Sequence, residues 1–235
     1  VRQVPSRTDV LQSLLAAAPV TVVETREDPA ELFLFPEEAE VVARAVDKRR
    51  SEFATVRQCA RTALAGLGVP AGPILPGPKG APRWPEGIVG SMTHCAGYRA
   101  AVVARASAVA SVGIDAEPAA PLGDADVLRL VSDETERAAL ADLGSRHPHV
   151  PWDRLLFSAK EAVYKTWFPL TGRWLGFEEA RVDLAPDGTF TAALLVPGPT
   201  VAGRELTGFR GDWLIRDGIA VTAIVLPLTP APPGT

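Results

Sequence analysis

The sequence predicts an α+β protein built as two similar lobes with a site in the cleft between them, on three observations. Each half of the chain runs from helical segments into antiparallel strands, a small-residue linker at 118–126 separates the halves, and an Asp-Gly turn joins the last two strands. The lobes are expected to cover residues 1–118 and 119–235 as one continuous domain. A chain of 235 residues is long enough to bury a sizeable core in that form. Charged residues are 22% and the net charge is −4, which argues against nucleic acid as a partner and against a charged membrane surface. No apolar run approaches the roughly 20 residues that cross a bilayer. The first residues lack the pattern of a secretory or transit segment. Two cysteines, Cys59 and Cys95, are too few for a disulfide framework or a thiolate metal site, so a soluble, reduced, cytoplasmic protein is expected.

In order, residues 10–18 read as a short helix capped by Thr8 or Asp9. Residues 20–25 read as a β-branched strand and 31–35 as a second short strand. Pro36 followed by Glu37 and Glu38 starts a helical region that reaches about Leu67 with a break near Asp47. Val46, Phe53, Val56, Ala60 and Leu64 make its core stripe. Arg50, Arg57 and Arg61 share an adjacent face, with Arg49 one position aside. That face reads either as a solvated basic surface or as an anion site, since arginine presents a fork matched to phosphate oxygens. Gly66, Gly68 and Pro70 end the helix. Residues 70–87 hold six prolines and four glycines, so they form a loop. A stiff loop that carries Lys79 and Trp84 is more often functional than filler.

Ile88–His94 and 99–105 read as a hairpin around Cys95–Tyr98. A third strand, Val109–Ile114, runs into Asp115-Ala116-Glu117 and stops at Pro118. Residues i and i+2 of a strand point the same way, so Asp115 and Glu117 project two carboxylates together. The pair reads either as a polar strand end or as ligands for a hard cation such as Mg²⁺, which takes oxygen donors and keeps several waters. Residues 127–143 read as helix with a turn at Ser132, and His147-Pro148-His149 as a loop with no third ligand near for a metal. The rest alternates strands and turns over 180–184, 189–196, 211–216 and 219–226. The tail from Pro227 is proline-rich and reads as loose.

Between Pro151 and Pro169 lies one more helix, with an apolar arc of Leu156, Val163 and Trp167. Its other side carries Lys160, Glu161, Tyr164 and Lys165 within roughly 140° of one another at about 100° per residue. Glu161 and Lys165 alone could be a surface pair worth about 0.3–0.5 kcal/mol. With the other acids and cations they would instead serve a phosphate-rich ligand brought in with Mg²⁺.

Three blocks carry a specific resemblance: Trp84-Pro85-Glu86-Gly87-Ile88-Val89-Gly90-Ser91-Met92-Thr93-His94, Gly113-Ile114-Asp115-Ala116-Glu117, and Phe157-Ser158-Ala159-Lys160-Glu161-Ala162-Val163-Tyr164-Lys165. In this order and spacing they resemble the Sfp/EntD-type 4′-phosphopantetheinyl transferases, and the helix bearing Arg49, Arg57 and Arg61 is similar to the actinobacterial branch. The resemblance implies that family's pseudo-twofold pair of lobes. It also implies transfer of the phosphopantetheine arm of coenzyme A to a serine of an apo acyl or peptidyl carrier protein, with release of 3′,5′-ADP. By the same resemblance Asp115, Glu117 and Glu161 would hold Mg²⁺, with the Ala116 carbonyl as a further donor, or Glu161 would be the general base. Lys160 and Lys165 would contact the pyrophosphate. Thr93, His94, Arg49 and Arg57 would bind the nucleotide end, and Lys79, Gly80, Ala81 and Pro82 would line the adenine. The two-lobed chain is expected to act as a monomer. Two other classes compete: a coenzyme A or nucleotide-binding module without turnover, which needs no base, and a Mg²⁺-dependent phosphohydrolase or nuclease, which would want a more basic surface.

Overall fold

A computed structural model describes residues 9–29 and 31–228. The chain opens with α1 (Leu11–Leu14) and β1 (Thr21–Thr25), then α2 (Pro36–Val41) and α3 (Asp47–Gly66). A loop leads to β2 (Ile88–Cys95), β3 (Tyr98–Arg105) and β4 (Val109–Pro118). Three helices follow, α4 (Ala125–Val131), α5 (Glu134–Arg146) and α6 (Trp152–Thr171). The chain ends in β5 (Ala180–Leu184), β6 (Thr189–Leu194), the small hairpin β7 (Thr200–Val201) and β8 (Arg204–Glu205), β9 (Gly208–Arg216) and β10 (Ile219–Pro227).

Two antiparallel sheets organise these elements, one in the order β1-β3-β2 and one in the order β4-β10-β9-β6-β5. α3 packs Cys59, Ala60, Ala63 and Leu64 on the first sheet against Ile88, Ala101 and Val103. α6 covers the second sheet with Leu155, Leu156, Ala159, Val163 and Trp167 against Val182, Phe190, Ala192 and Ile224. The expected buried arc of α6 is therefore in place. A further apolar layer joins the sheets, because Val10, Leu11, Tyr98 and Val102 share one cluster with Ile114, Val221 and Ala223. Between β2 and β4 the link is made by side chains: the N–H groups of Ile114 and Ala116 donate to Ser91 Oγ (3.1 Å) and Thr93 Oγ1 (3.0 Å).

The α+β class and the cleft follow the sequence expectation, and several details differ. β4 is bonded to β10 and so belongs to the second sheet, which places the passage from one sheet to the other at the 106–108 turn, ahead of the 118–126 linker. Residues 31–35 form no strand: among the described residues no other segment pairs with them, and Phe33 instead packs edge-on against Phe35. Val46 is exposed: it caps α3 in an extended conformation, so the helical period does not reach it. The helix expected over 127–143 is two, broken by the Asp133–Glu136 capping box that opens α5. α6 runs through Pro169, which forfeits only the bond to the Lys165 carbonyl, and closes on left-handed Gly172 with its N–H on Phe168 O at 2.8 Å. The Asp-Gly turn holds, with Asp217 at φ 49° and Gly218 at φ 77° between β9 and β10. Thr8 and the tail beyond 228 lie outside the described residues. α1 is held by Glu24 of β1, whose carboxylate accepts from the N–H groups of Val10, Leu11 and Gln12. Among the described residues no helix is long and apolar enough to cross a membrane.

Candidate active site

The site begins at Gly113. A Cβ there would lie 2.1 Å from the Ala162 carbonyl and 2.3 Å from Thr166 Oγ1, so α6 rests directly on the backbone of β4. Ser111 reinforces the contact by donating to Thr166 O at 2.8 Å. With helix and strand this close, Lys165 of α6 reaches Ile114 O (3.1 Å) and Asp115 Oδ1 (2.8 Å). Gly113→Ala is expected to lower stability by about 1–3 kcal/mol, the usual cost of overpacking. It should also depress activity beyond that, because a displaced α6 carries Lys165 and Glu161 with it. Thermal unfolding and specific activity of the folded fraction check the two effects separately.

Three carboxylates influence one another here. Burial raises the Glu161 carboxyl above its ordinary value and Asp115 adds to the rise, while Lys165 opposes it. Burial and Asp115 also raise Glu117, against the pull of Arg154, whose Nη1 donates to Glu117 Oε2 at 2.9 Å. Asp115 is 5% exposed, and its Oδ2 has no hydrogen-bond partner. No three His, Cys, Asp or Glu side chains form a ready metal cage among the described residues. An orphaned buried carboxylate oxygen beside two acids whose charged forms are disfavoured by burial and by Asp115 nonetheless fits Mg²⁺. That ion needs only one or two protein carboxylates and takes its other oxygens from water and phosphate.

Two expected contacts are corrected. Lys160 does not face the cleft: its ammonium is buried on Glu136 (2.9 Å), Phe177 O (2.8 Å) and Ala180 O (3.0 Å). Those three bonds use all its hydrogens and leave none for a pyrophosphate. Thr93 lies behind the cleft wall, 4% exposed, and spends its hydroxyl on Asp115 Oδ1 at 3.3 Å and the Ala116 N–H.

Beside Glu161 and Lys165 opens a cleft of about 960 Å³, lined by Glu161, Tyr164 and Lys165 of α6 together with Arg49, Arg57, His94 and Lys79–Pro82. The Lys79–Pro82 stretch sits in a tight reversal closed by Gly77 N to Ala81 O at 2.6 Å, with Lys79 at a left-handed φ of 55°. Arg57 is buried over the Phe53 ring (3.2 Å to its centre) and donates to Ile74 O at 2.8 Å. Burial pulls its guanidinium down to about 10, so it stays charged. Arg61, from the same expected basic face, is committed to the buried carboxylate of Glu38 at 3.0 Å.

Arg49 Nη1 lies 2.7 Å from His94 Nε2. An arginine only donates, so Nε2 accepts and the ring proton sits on Nδ1, toward Glu52 Oε2 at 3.8 Å. Burial depresses His94, and Arg49 and Arg99 depress it further against the pull of Glu52. In the free protein His94 is expected to titrate below its ordinary value, and Arg49→Ala should raise it by removing a neighbouring cation. An NMR pH titration of the ring protons reads both; an upward shift in the unsubstituted protein, or a downward one in the variant, contradicts the arrangement.

Sequence reasoning missed Ser91, Glu52 and Arg154. The Ser91-x-Thr93 spacing, two hydroxyls on one side of a strand, was a usable signal for the first. The ion partners of His94 and Glu117 come from elements remote in sequence and left none.

The chain is also similar to known proteins over most of its length. Residues 37–104 match the family model of the 4′-phosphopantetheinyl transferase N-terminal domain, and residues 111–214 that of the 4′-phosphopantetheinyl transferase superfamily. The chain is 61% identical over 210 residues to 4′-phosphopantetheinyl transferase Svp of Streptomyces mobaraensis, covering 89% of this chain and 83% of that protein. It is 53% identical over 208 residues to 4′-phosphopantetheinyl transferase PptT of Mycobacterium tuberculosis, covering 86% and 90%. Against 4′-phosphopantetheinyl transferase Npt of Nocardia iowensis the figures are 48% over 224 residues, 92% and 99%.

Proposed function

The chain belongs to the 4′-phosphopantetheinyl transferase family, and from that premise we propose how its cleft transfers the phosphopantetheine arm of coenzyme A to a carrier protein. The observation that carries the reading is the approach of Lys165 to Asp115 beside the raised carboxyl of Glu161, on a cleft also lined by Arg49, Arg57 and His94.

Arg49, Arg57 and His94 bind the nucleotide end with its 3′-phosphate, and Lys79, Gly80, Ala81 and Pro82 line the adenine. Glu161 takes the proton of the carrier serine, a hydroxyl too weak as a nucleophile without a base in reach. The serine oxygen bonds to the phosphorus that carries the pantetheine arm. The bond from that phosphorus to the bridging oxygen breaks, and 3′,5′-ADP leaves with the electron pair. Lys165 places its positive charge near the leaving oxygen, where charge accumulates in phosphoryl transfer. Asp115 and Glu117, once it leaves Arg154, would hold Mg²⁺ with the Ala116 carbonyl, and the ion would neutralise phosphate charge.

The protein works as a monomer in the cytoplasm, without nucleic acid or membrane, a reading supported by a site enclosed within one chain and by the net charge of −4. Intact-mass measurement after incubation with coenzyme A, Mg²⁺ and a panel of apo carrier proteins tests the proposal. A gain of one phosphopantetheine arm on the carrier serine is expected, together with 3′,5′-ADP. No gain on any carrier would favour a binder without turnover, and free phosphate released without a carrier would favour a phosphohydrolase.

A further inference from the structure

β2 and β4 lie side by side, yet the bonds between them come from side chains. The N–H of Ile114 donates to Ser91 Oγ at 3.1 Å and that of Ala116 to Thr93 Oγ1 at 3.0 Å. Both hydroxyl residues are 4% exposed. They sit two apart on one strand and meet amides two apart on the next, so the seam between the sheets passes on either side of Asp115.

The two hydroxyls are not equivalent. A hydroxyl has one hydrogen and two lone pairs. Thr93 accepts the Ala116 N–H and sends its hydrogen to Asp115 Oδ1, 3.3 Å away. Lys165 donates to the same oxygen at 2.8 Å. Two donors thus converge on Oδ1, and the other carboxylate oxygen, Oδ2, is left buried and without a partner. A carboxylate gripped at one oxygen by groups from two other elements has a fixed plane and offers one defined oxygen to whatever enters the site. A threonine suits this task, since branching at Cβ restricts its side-chain rotation.

We propose that Thr93 is a positioning residue for Asp115 and not a contact of the nucleotide: its hydroxyl, with the Lys165 ammonium, selects which Asp115 oxygen is presented to a divalent cation and locks that choice to the register of the two sheets. The inference deepens the metal reading given above and rests on it. Partners of this kind, one step removed from a metal, typically change its affinity by about 10–100-fold when lost.

The test uses the full chain and two probes, Mn²⁺ followed by its EPR signal and 3′,5′-ADP titrated in EDTA. Thr93→Val keeps the branched shape and deletes the hydroxyl, and is expected to weaken Mn²⁺ binding by about 10–100-fold with 3′,5′-ADP affinity unchanged. Thr93→Ser should restore most of the Mn²⁺ affinity. Ser91→Ala breaks the neighbouring seam bond without touching Asp115 and should bind Mn²⁺ as the unsubstituted protein does. A Thr93→Val protein that binds Mn²⁺ normally, or that loses 3′,5′-ADP in EDTA, overturns the inference, as does an equal Mn²⁺ loss in Ser91→Ala. Unsubstituted protein that binds no Mn²⁺ at all overturns the metal reading itself, a distinguishable result. If Thr93→Val does not fold, a crystal structure of the unsubstituted chain with Mn²⁺ and 3′,5′-ADP decides: Thr93 Oγ1 on Asp115 supports the inference, and on a phosphate refutes it.

Discussion

Glu161→Gln is expected to lower the transfer rate by about 10²–10⁴-fold, the range general-base catalysis commonly supplies, with coenzyme A binding and folding preserved. Glutamine keeps the shape of the side chain and removes both the proton acceptor and the charge. Folding is expected to survive the loss of that charge, since burial penalises it and Asp115 repels it, against the pull of Lys165. A base whose affinity for protons is raised above that of an ordinary carboxylate is the better acceptor for a serine proton near neutral pH. The loss should fall on kcat with KM for coenzyme A nearly unmoved, since in the proposed reaction Glu161 acts on the serine proton and the nucleotide end is held by Arg49, Arg57 and His94. Asp115→Asn should be comparably inactive for a second reason, because Lys165 and Thr93 both lose their anionic partner. Near-wild-type turnover of either variant at saturating Mg²⁺ would mean that the reacting groups lie elsewhere. Circular dichroism and thermal unfolding of the same preparations separate a lost base from a lost fold.

The parts of this site that could be read from sequence are those set by local geometry. Asp115 and Glu117 end a strand, and period two puts both on one side. The apolar arc of α6 shows in its period, and so do Glu161 and Lys165 on the opposite side. The Asp217-Gly218 turn is legible because both its residues must take left-handed backbone angles. What the sequence hid depends on partners brought in from afar. Glu117 has two demands on it, and the claim of Arg154 arises only when the 117–121 segment folds over α6. Arg57 and Arg61 look like free surface cations until Glu38 is buried between their helix and the loop at Ile74. Sheet membership was hidden for the same reason: a small-residue linker marks a boundary in covalent order, whereas β4 is assigned by its ladder with β10, about a hundred residues later. Periodicity assigns a residue to a face, but the face becomes buried or solvated only when another element arrives.

Lys160 is the sharpest instance, and it yields a large effect that is not catalytic. It lies beside Glu161 on the helix, yet its ammonium meets the carboxylate of Glu136 with both side chains essentially sealed from solvent, at 3% and 2% exposure. Glu136 also accepts the Val182 N–H at 2.8 Å and the Asp133 N–H at 2.8 Å. The pair therefore ties α5, α6 and β5 together. Lys160→Met is expected to destabilise the protein by about 3–5 kcal/mol, because it strands a buried carboxylate without its cation. Chemical denaturation measures that loss. The double substitution Lys160→Met with Glu136→Gln should recover part of it, since the uncompensated charge is then gone, although the single glutamine oxygen keeps only one of the two backbone N–H bonds that the carboxylate accepts on its two oxygens. For the fraction of Lys160→Met that remains folded, the affinity for coenzyme A should match the unsubstituted protein, because the ammonium never pointed into the cleft. A folded variant of normal stability with weakened coenzyme A binding would instead return Lys160 to the pyrophosphate.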